Sequence, residues 1–181
     1  MNGRTKMMVY CVCAITLLSC SRERVLDHAE LRMSLASPDY KVKRSAINRL
    51  LRIGRERPLT KEEVSLLLLP LESDPDWRIR VRITTVLPFA ANKSQVIQPL
   101  IGALQERDEA VSGGGNLQIY CCRALAEIGD PHALPVMRSW LAFLESNPEK
   151  FKMKRHDLIE ITKQWINELE GKGRGADEDN M

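Results

Sequence analysis

The chain has 181 residues, of which 44% are apolar and 28% are charged, and its net charge is +3. This size suits one domain, and this composition argues against a disordered chain. The net charge is too small for a nucleic-acid binder, which needs a concentrated basic face. Only 5% of the residues are aromatic, while leucine, isoleucine, valine and alanine are abundant. This balance favours an all-α protein held together by helix packing.

The first twenty residues have the three-part pattern of an export signal. Arg4 and Lys6 form a charged start, residues 7–18 are nearly all apolar, and Ser19 precedes Cys20. The apolar run is too short to cross a membrane, which takes about 20 residues. It also lacks the polar face of an amphipathic core helix. We therefore predict a signal peptide over residues 1–19.

The sequence Leu17-Leu18-Ser19-Cys20 resembles the lipobox of bacterial lipoproteins. The resemblance implies that the Cys20 thiol carries diacylglycerol, that Cys20 becomes the mature N-terminus, and that further acyl chains such as palmitate make the anchor firm. Residues 20–24 are then a lipidated N-terminus and short tether. In that family an aspartate directly after the cysteine acts as the inner-membrane retention signal. Ser21 stands at this position, so the resemblance implies the outer membrane, facing the periplasm, in a bacterium with two membranes.

The rest of the chain repeats itself. Residues 37–47 align with residues 74–84 at an offset of 37, and both copies place a proline and an aspartate at their second and third positions. Proline suits the turn, and the aspartates, Asp39 and Asp76, can cap the helix that follows. A third copy lies at an offset of 75, where Leu125, Ile128 and Gly129 match Leu50, Ile53 and Gly54.

At these residues the chain resembles the HEAT-repeat family, including the short type with an Asp-Pro turn and the ending Ala-Leu-x-x-Ile-Gly-Asp. The resemblance covers most of residues 25–170 and implies a short α-solenoid of about four HEAT-like helix pairs. We place these pairs at 25–56, 60–91, 93–129 and 131–170. One pair cannot bury its apolar face alone, so about three or more must stack.

Local features refine these boundaries. The first inner helix should bury a stripe of Val42, Ala46, Leu50 and Ile53 and end at Gly54. Pro88 should kink or stop the second inner helix near Leu87. The run Ser-Gly-Gly-Gly-Asn at 112–116 predicts a surface loop that delays the next helix until about Leu117; it lacks the Lys-Ser/Thr of a phosphate-binding loop.

The C-terminal region divides into two parts. A long helix predicted from about Pro148 to Glu170 carries apolar residues on one side and should cap the stack. Residues 171–181 have little to bury and should be disordered.

Residues that could carry chemistry are few. The histidines lack second ligands at metal-binding spacing. The two aspartates at the turn of the second sequence copy lack the other ligands of a calcium loop. The adjacent cysteines are too close together for an ordinary disulfide and fit small buried side chains. These residues are His28, His132, His156, Asp74, Asp76, Cys121 and Cys122. We expect no enzyme, no metal, no cofactor and no small-molecule substrate.

One part of the sequence is strongly basic, with lysines and arginines at 41, 43, 44, 49, 52, 55, 57, 78, 80 and 82. HEAT inner helices line a concave face, so the resemblance implies that part of this set faces a groove. The best binding candidates lie away from the apolar stripes: Arg44, Arg52, Arg55, Arg78 and Arg82. Arginines in such a groove suit an acidic ligand. A merely solvated basic face is the alternative.

We therefore predict a membrane-anchored lipoprotein that acts as a non-catalytic protein-binding scaffold in the cell envelope, with an acidic protein partner and no nucleic acid. Two alternatives remain open. The basic first repeats could contact anionic lipid headgroups, at about 1 kcal/mol per charge. The chain could also be a regulatory subunit of an envelope enzyme.

Overall fold

The computed structural model describes residues 27–106, 115–147 and 155–178. Their regular structure is helical, without strands. Eight α-helices occur in these ranges: α1 (His28–Ala36), α2 (Tyr40–Glu56), α3 (Lys61–Ser73), α4 (Trp77–Thr84), α5 (Ser94–Gln105), α6 (Asn116–Ile128), α7 (Leu134–Ser146) and α8 (Arg155–Glu178). Short 3-10 helices occupy Leu87–Phe89 and Pro131–Ala133. The all-α prediction is confirmed.

The first helices begin at side chains that bind their free amides. Asp27 caps α1, and the predicted caps Asp39 and Asp76 accept hydrogen bonds from the amides of Lys41 and Arg78 at 2.7 and 2.9 Å. These bonds satisfy donors that have no partner within the helix. The aspartate of each repeated motif therefore sets where the second helix of its pair begins.

Helix α3 begins with a capping box reinforced by an arginine. The Thr60 hydroxyl accepts from the Glu63 amide, and the Glu63 carboxylate accepts from the Thr60 amide at 2.8 Å. Arg57 pairs with the same carboxylate at 2.5 Å. Burial acts to raise the pKa of Glu63, but the hydrogen bonds from Arg57 and Thr60 outweigh it and hold the pKa below its usual range.

The principal helix contacts follow the order of the chain. The two members of each successive pair touch, namely α1 and α2, α3 and α4, α5 and α6, and α7 and α8. Each odd-numbered helix also touches the next odd-numbered one, and each even-numbered helix the next even-numbered one. One hydrophobic core runs from Leu31 in α1 to Leu169 in α8.

A close approach ties the first two pairs together. A Cβ atom on Gly54 would lie 2.7 Å from Cβ of Phe89, so only glycine fits where α2 meets the turn after α4. The Leu59 amide donates to the Phe89 carbonyl at 2.8 Å, and the Ala91 amide donates to the Leu59 carbonyl at 2.9 Å. The prediction that Gly54 ends a helix is wrong: α2 continues to Glu56.

Its repeat equivalent, Gly129, does end a helix. Gly129 adopts a left-handed φ of 84° after α6, and its amide donates to the Leu125 carbonyl at 3.0 Å. The left-handed conformation is open to glycine at little cost and terminates helices in this way. Two glycines that align in the sequence at an offset of 75 residues therefore serve different purposes: Gly54 allows close packing, and Gly129 ends a helix.

Other predicted details need correction. Val42 is 39% exposed, because the buried stripe of α2 runs through Ala46, Ile47, Leu50 and Gly54 instead. The second inner helix ends at Thr84, three residues before the expected stop near Leu87, and Pro88 lies in the following 3-10 helix. A 3-10 helix accepts proline because its first amides are unbonded.

At the C-terminal end of the chain, α6 begins at Asn116, one residue from the predicted start, while the glycines at 113 and 114 lie outside the described residues. Residues 148–154, the predicted start of the last helix, also lie outside them. Helix α8 continues to Glu178, past the boundary predicted at Glu170. Glycine at 171, 173 and 175 weakens a helix by about 1 kcal/mol each but does not prevent one.

Candidate binding surfaces

Cys20, the predicted lipidation site, lies outside the described residues. In the parts of the chain that are described, no helix is both long and apolar enough to cross a membrane. The same parts contain no group of three or more histidine, cysteine or acidic side chains placed to hold a metal ion. The candidate binding features of the described residues are the charged surface and the clefts between helices.

Three of the five predicted arginines lie along the solvent-exposed side of α2. Arg44, Arg52 and Arg55 are all exposed, and none forms a hydrogen bond or ion pair with another described residue. Their spacing of eight and three residues keeps them within one broad side of the helix. Their guanidinium groups are therefore available to an external anion.

The other two predicted arginines are engaged by their own chain. Arg78 pairs with Asp76 at 2.7 Å, and its guanidinium carbon lies 4.7 Å from the centre of the Tyr40 ring. The hydrogen bond from Arg78 is the main cause of a lowered pKa at Asp76. Arg82 donates from Nε to the Tyr40 hydroxyl at 3.3 Å. The structure thus brings Arg78 and Arg82 together on Tyr40, where α4 meets α2, and leaves the α2 arginines separate from them.

Four further basic residues of the predicted face form ion pairs within the chain. The pairs are Lys43 with Asp74, Arg49 with Glu30, Arg57 with Glu63 and Arg80 with Glu106. Arg80 is only 2% exposed, so it contributes nothing to an outer surface. The basic face is therefore smaller than the sequence suggested, because much of its charge joins helices to each other.

Two of these pairs occupy matching positions in the aligned sequence segments 37–47 and 74–84. Lys43 is the fourth residue of α2 and Arg80 the fourth of α4. Each binds the residue that directly follows an odd-numbered helix, Asp74 after α3 and Glu106 after α5. Arg80 also donates to the Leu71 carbonyl at 2.6 Å. At the third copy, Gln118 donates to the Glu106 carbonyl at 2.5 Å. We call these three side chains, Lys43, Arg80 and Gln118, the polar ladder.

The two cysteines in the described part of the chain are buried. Cys121 and Cys122 lie in the core on α6, and neither forms a disulfide. Burial raises the pKa of the Cys121 thiol. A thiol held protonated is a poor nucleophile. The expectation of small buried side chains is confirmed.

A groove that sequence reasoning missed separates α1 from α3. It encloses about 800 Å³, against about 470 Å³ for the corresponding depression between α3 and α5. Helix α1 has 9 residues and α3 has 13, so the longer helix is only partly covered by the shorter one. Apolar side chains line its middle: Leu35, Ala36, Leu66, Leu69 and Pro70.

The two ends of this groove differ in charge. At the end nearest the start of α1, it is lined by His28, Arg32, Lys61 and Glu62, so the two cations Arg32 and Lys61 outnumber the single carboxylate. At the far end Lys43 and Asp74 neutralise each other at 2.5 Å. The one signal in the sequence was the run of four leucines at 66–69, which must turn at least one leucine away from the core; Leu69 is 70% exposed.

No protein-family profile matches this chain, and comparisons with curated proteins and with solved structures gave no significant match.

Proposed function

We propose that this chain is a lipoprotein anchored through Cys20, whose exported part is a short HEAT-like α-solenoid that acts as a non-catalytic protein-binding scaffold in the cell envelope. The observation that carries the proposal is the row of exposed arginines on α2, Arg44, Arg52 and Arg55. They form no ion pair with another described residue, whereas the neighbouring Lys43, Arg49, Arg57 and Arg80 do.

The solenoid arrangement is supported by the order of helix contacts. In a solenoid each unit touches mainly its neighbours. Pairs in contact, with odd helices stacked on odd and even on even, fit that description. The polar ladder adds a link at the same repeat position in successive pairs, which is expected where units are related by a regular displacement.

Anchoring at Cys20 is supported by the residues quoted from the sequence and is tested directly. The mature protein should be found in the membrane fraction, and its N-terminal peptide should carry the mass of diacylglycerol and further acyl chains. The Cys20→Ser protein should lose both properties. An unmodified Cys20 peptide from native membranes would refute the anchor.

Protein binding is tested at the α2 arginines. We expect a photo-crosslinking residue at Asn48, which is exposed between Arg44 and Arg52, to capture a discrete envelope protein. Charge reversal at Arg44, Arg52 and Arg55 should abolish that product. The matched control reverses Arg123, Arg138 and Lys163, which are exposed and engaged only in surface ion pairs, so it removes the same charge elsewhere.

The unpartnered arginines also favour a second candidate, a membrane-surface module. In that case the unlipidated protein should bind anionic vesicles in a salt-sensitive manner, and Arg52→Glu with Arg55→Glu should remove the binding. Vesicle binding of this kind without any crosslinked protein would favour the second candidate over the scaffold.

A further inference from the structure

We propose that the groove between α1 and α3 binds a single-chain anionic lipid drawn from the bilayer, with its hydrocarbon chain along Leu66 and Leu69 and its carboxylate against Arg32 and Lys61. The inference deepens the proposed function, since it takes anchoring at Cys20 to hold the groove beside a membrane. Its first support is the groove itself. A volume of about 800 Å³ lies within the range of small-molecule sites.

The exposed leucine is the second observation. Leu69 leaves 70% of its surface in water although it belongs to a helix whose other side is fully buried. Leu66, Pro70 and Leu35 continue the same apolar lining. Covering such a surface is favourable because it removes apolar area from water. A hydrocarbon chain laid along α3 would cover it.

The charge at one end of the groove favours a lipid with an anionic head group. Arg32 and Lys61 line the end nearest the start of α1 together with one carboxylate, Glu62. Neither cation forms an ion pair with another described residue, so this end is net cationic. The opposite end is neutral, because Lys43 and Asp74 pair there. An apolar middle with cations at one end only matches a molecule that has one anionic end and one apolar end. An acidic peptide helix would instead present charge at intervals along its length.

Position favours a lipid as well. Cys20 precedes His28 by eight residues, which span at most about 29 Å when fully extended. His28 is the first residue of α1 and lines the groove's cationic end. A protein anchored at Cys20 therefore holds this end of the groove within a short distance of lipid headgroups.

The test uses the mature chain, residues 20–181 with Cys20→Ser, which keeps every described residue. A dansylated fatty acid should bind with increased fluorescence, and palmitate below its critical micelle concentration should displace it. Leu69→Glu should weaken binding on the order of tenfold or more, as expected when one side chain's apolar contact is lost. The matched control is Met33→Glu, because Met33 is also 70% exposed but does not line the groove; it should bind normally.

A second comparison isolates the head group. Arg32→Gln with Lys61→Gln should weaken palmitate on the order of tenfold while leaving hexadecanol unchanged. Failure of palmitate to displace the probe overturns the proposal, and so does equal loss in the Leu69 and Met33 variants at unchanged helix content. A dimer that shields Leu69 would also overturn it, by assigning the groove to a second copy. Because the tested chain carries no lipid, these results are independent of whether Cys20 is acylated.

Discussion

Replacing Arg80 by methionine tests whether the buried member of the polar ladder stabilises the stack. The change keeps an unbranched side chain in the core but removes the bond to the Leu71 carbonyl at 2.6 Å and the ion pair with Glu106. Leaving a buried carbonyl without a donor costs about 1–3 kcal/mol. The pair with Glu106, whose side chain is 28% exposed, adds about 1 kcal/mol at most.

One term opposes this loss. The Nη1 atom of Arg80 is buried and forms no hydrogen bond, so its removal returns part of the desolvation cost. We therefore expect Arg80→Met to lower the free energy of unfolding by about 1–3 kcal/mol, or Tm by about 2–4 °C for each kcal/mol. Guanidinium unfolding followed by far-UV circular dichroism measures the first quantity.

Arg78→Met is the matched control. Arg78 lies on the same helix and, like Arg80, forms an ion pair with a carboxylate, in this case Asp76, but its side chain is 57% exposed. A surface ion pair contributes about 0–1 kcal/mol. If Arg80→Met proves no more destabilising than Arg78→Met, the hydrogen bond to the Leu71 carbonyl and the ion pair with Glu106 do not stabilise the fold.

Two further substitutions probe the first contact between pairs and the start of α3. Gly54→Ala should destabilise the folded protein by about 1–3 kcal/mol, since the added methyl group would overlap Phe89. Gly102→Ala lies within α5 with no atom in its way, so it should instead stabilise the folded protein by about 0.5–1 kcal/mol. Urea unfolding midpoints that fall equally for both variants would contradict this reasoning. Because the pKa of Glu63 is lowered from 4.5 in the folded state, its contribution to stability is complete at neutral pH and is lost as the pH falls below 4.5 through the folded-state pKa. Unfolding free energies measured between pH 7 and pH 3 should therefore fall more steeply for the wild type than for Glu63→Gln, and parallel curves would show that the Arg57–Glu63 pair is not linked to folding.

The helices were predictable because their signals are local. Apolar spacing, the Asp39 and Asp76 caps and the offset of 37 residues lie within a few turns of each other in sequence, and the structure places helices accordingly. The start of α6 after the glycine run followed from the same kind of signal. Where these signals occur, the ends of the helices were therefore predicted to within a few residues.

The candidate binding surface was less predictable, because ion pairs join residues that are far apart in the sequence. Nothing near Arg80 in sequence indicates that it meets Glu106, 26 residues away, rather than solvent. Gly54 likewise depends on Phe89, which is distant in sequence. The groove arises from the unequal lengths of α1 and α3, which only matters once the two helices lie side by side. Such features require the packing of neighbouring pairs to be known.

The order of the helix contacts also bears on how the protein assembles. Among the α-helices that the structure describes, every principal contact joins helices that are consecutive or separated by a single α-helix. A chain emerging from its N-terminus could therefore add each pair to a partner that is already in place, and would not have to wait for the last helix. Opening should be graded in the same way, with amide hydrogen exchange fastest in the terminal helices and slowest in α4 to α6, which have packed neighbours on both sides.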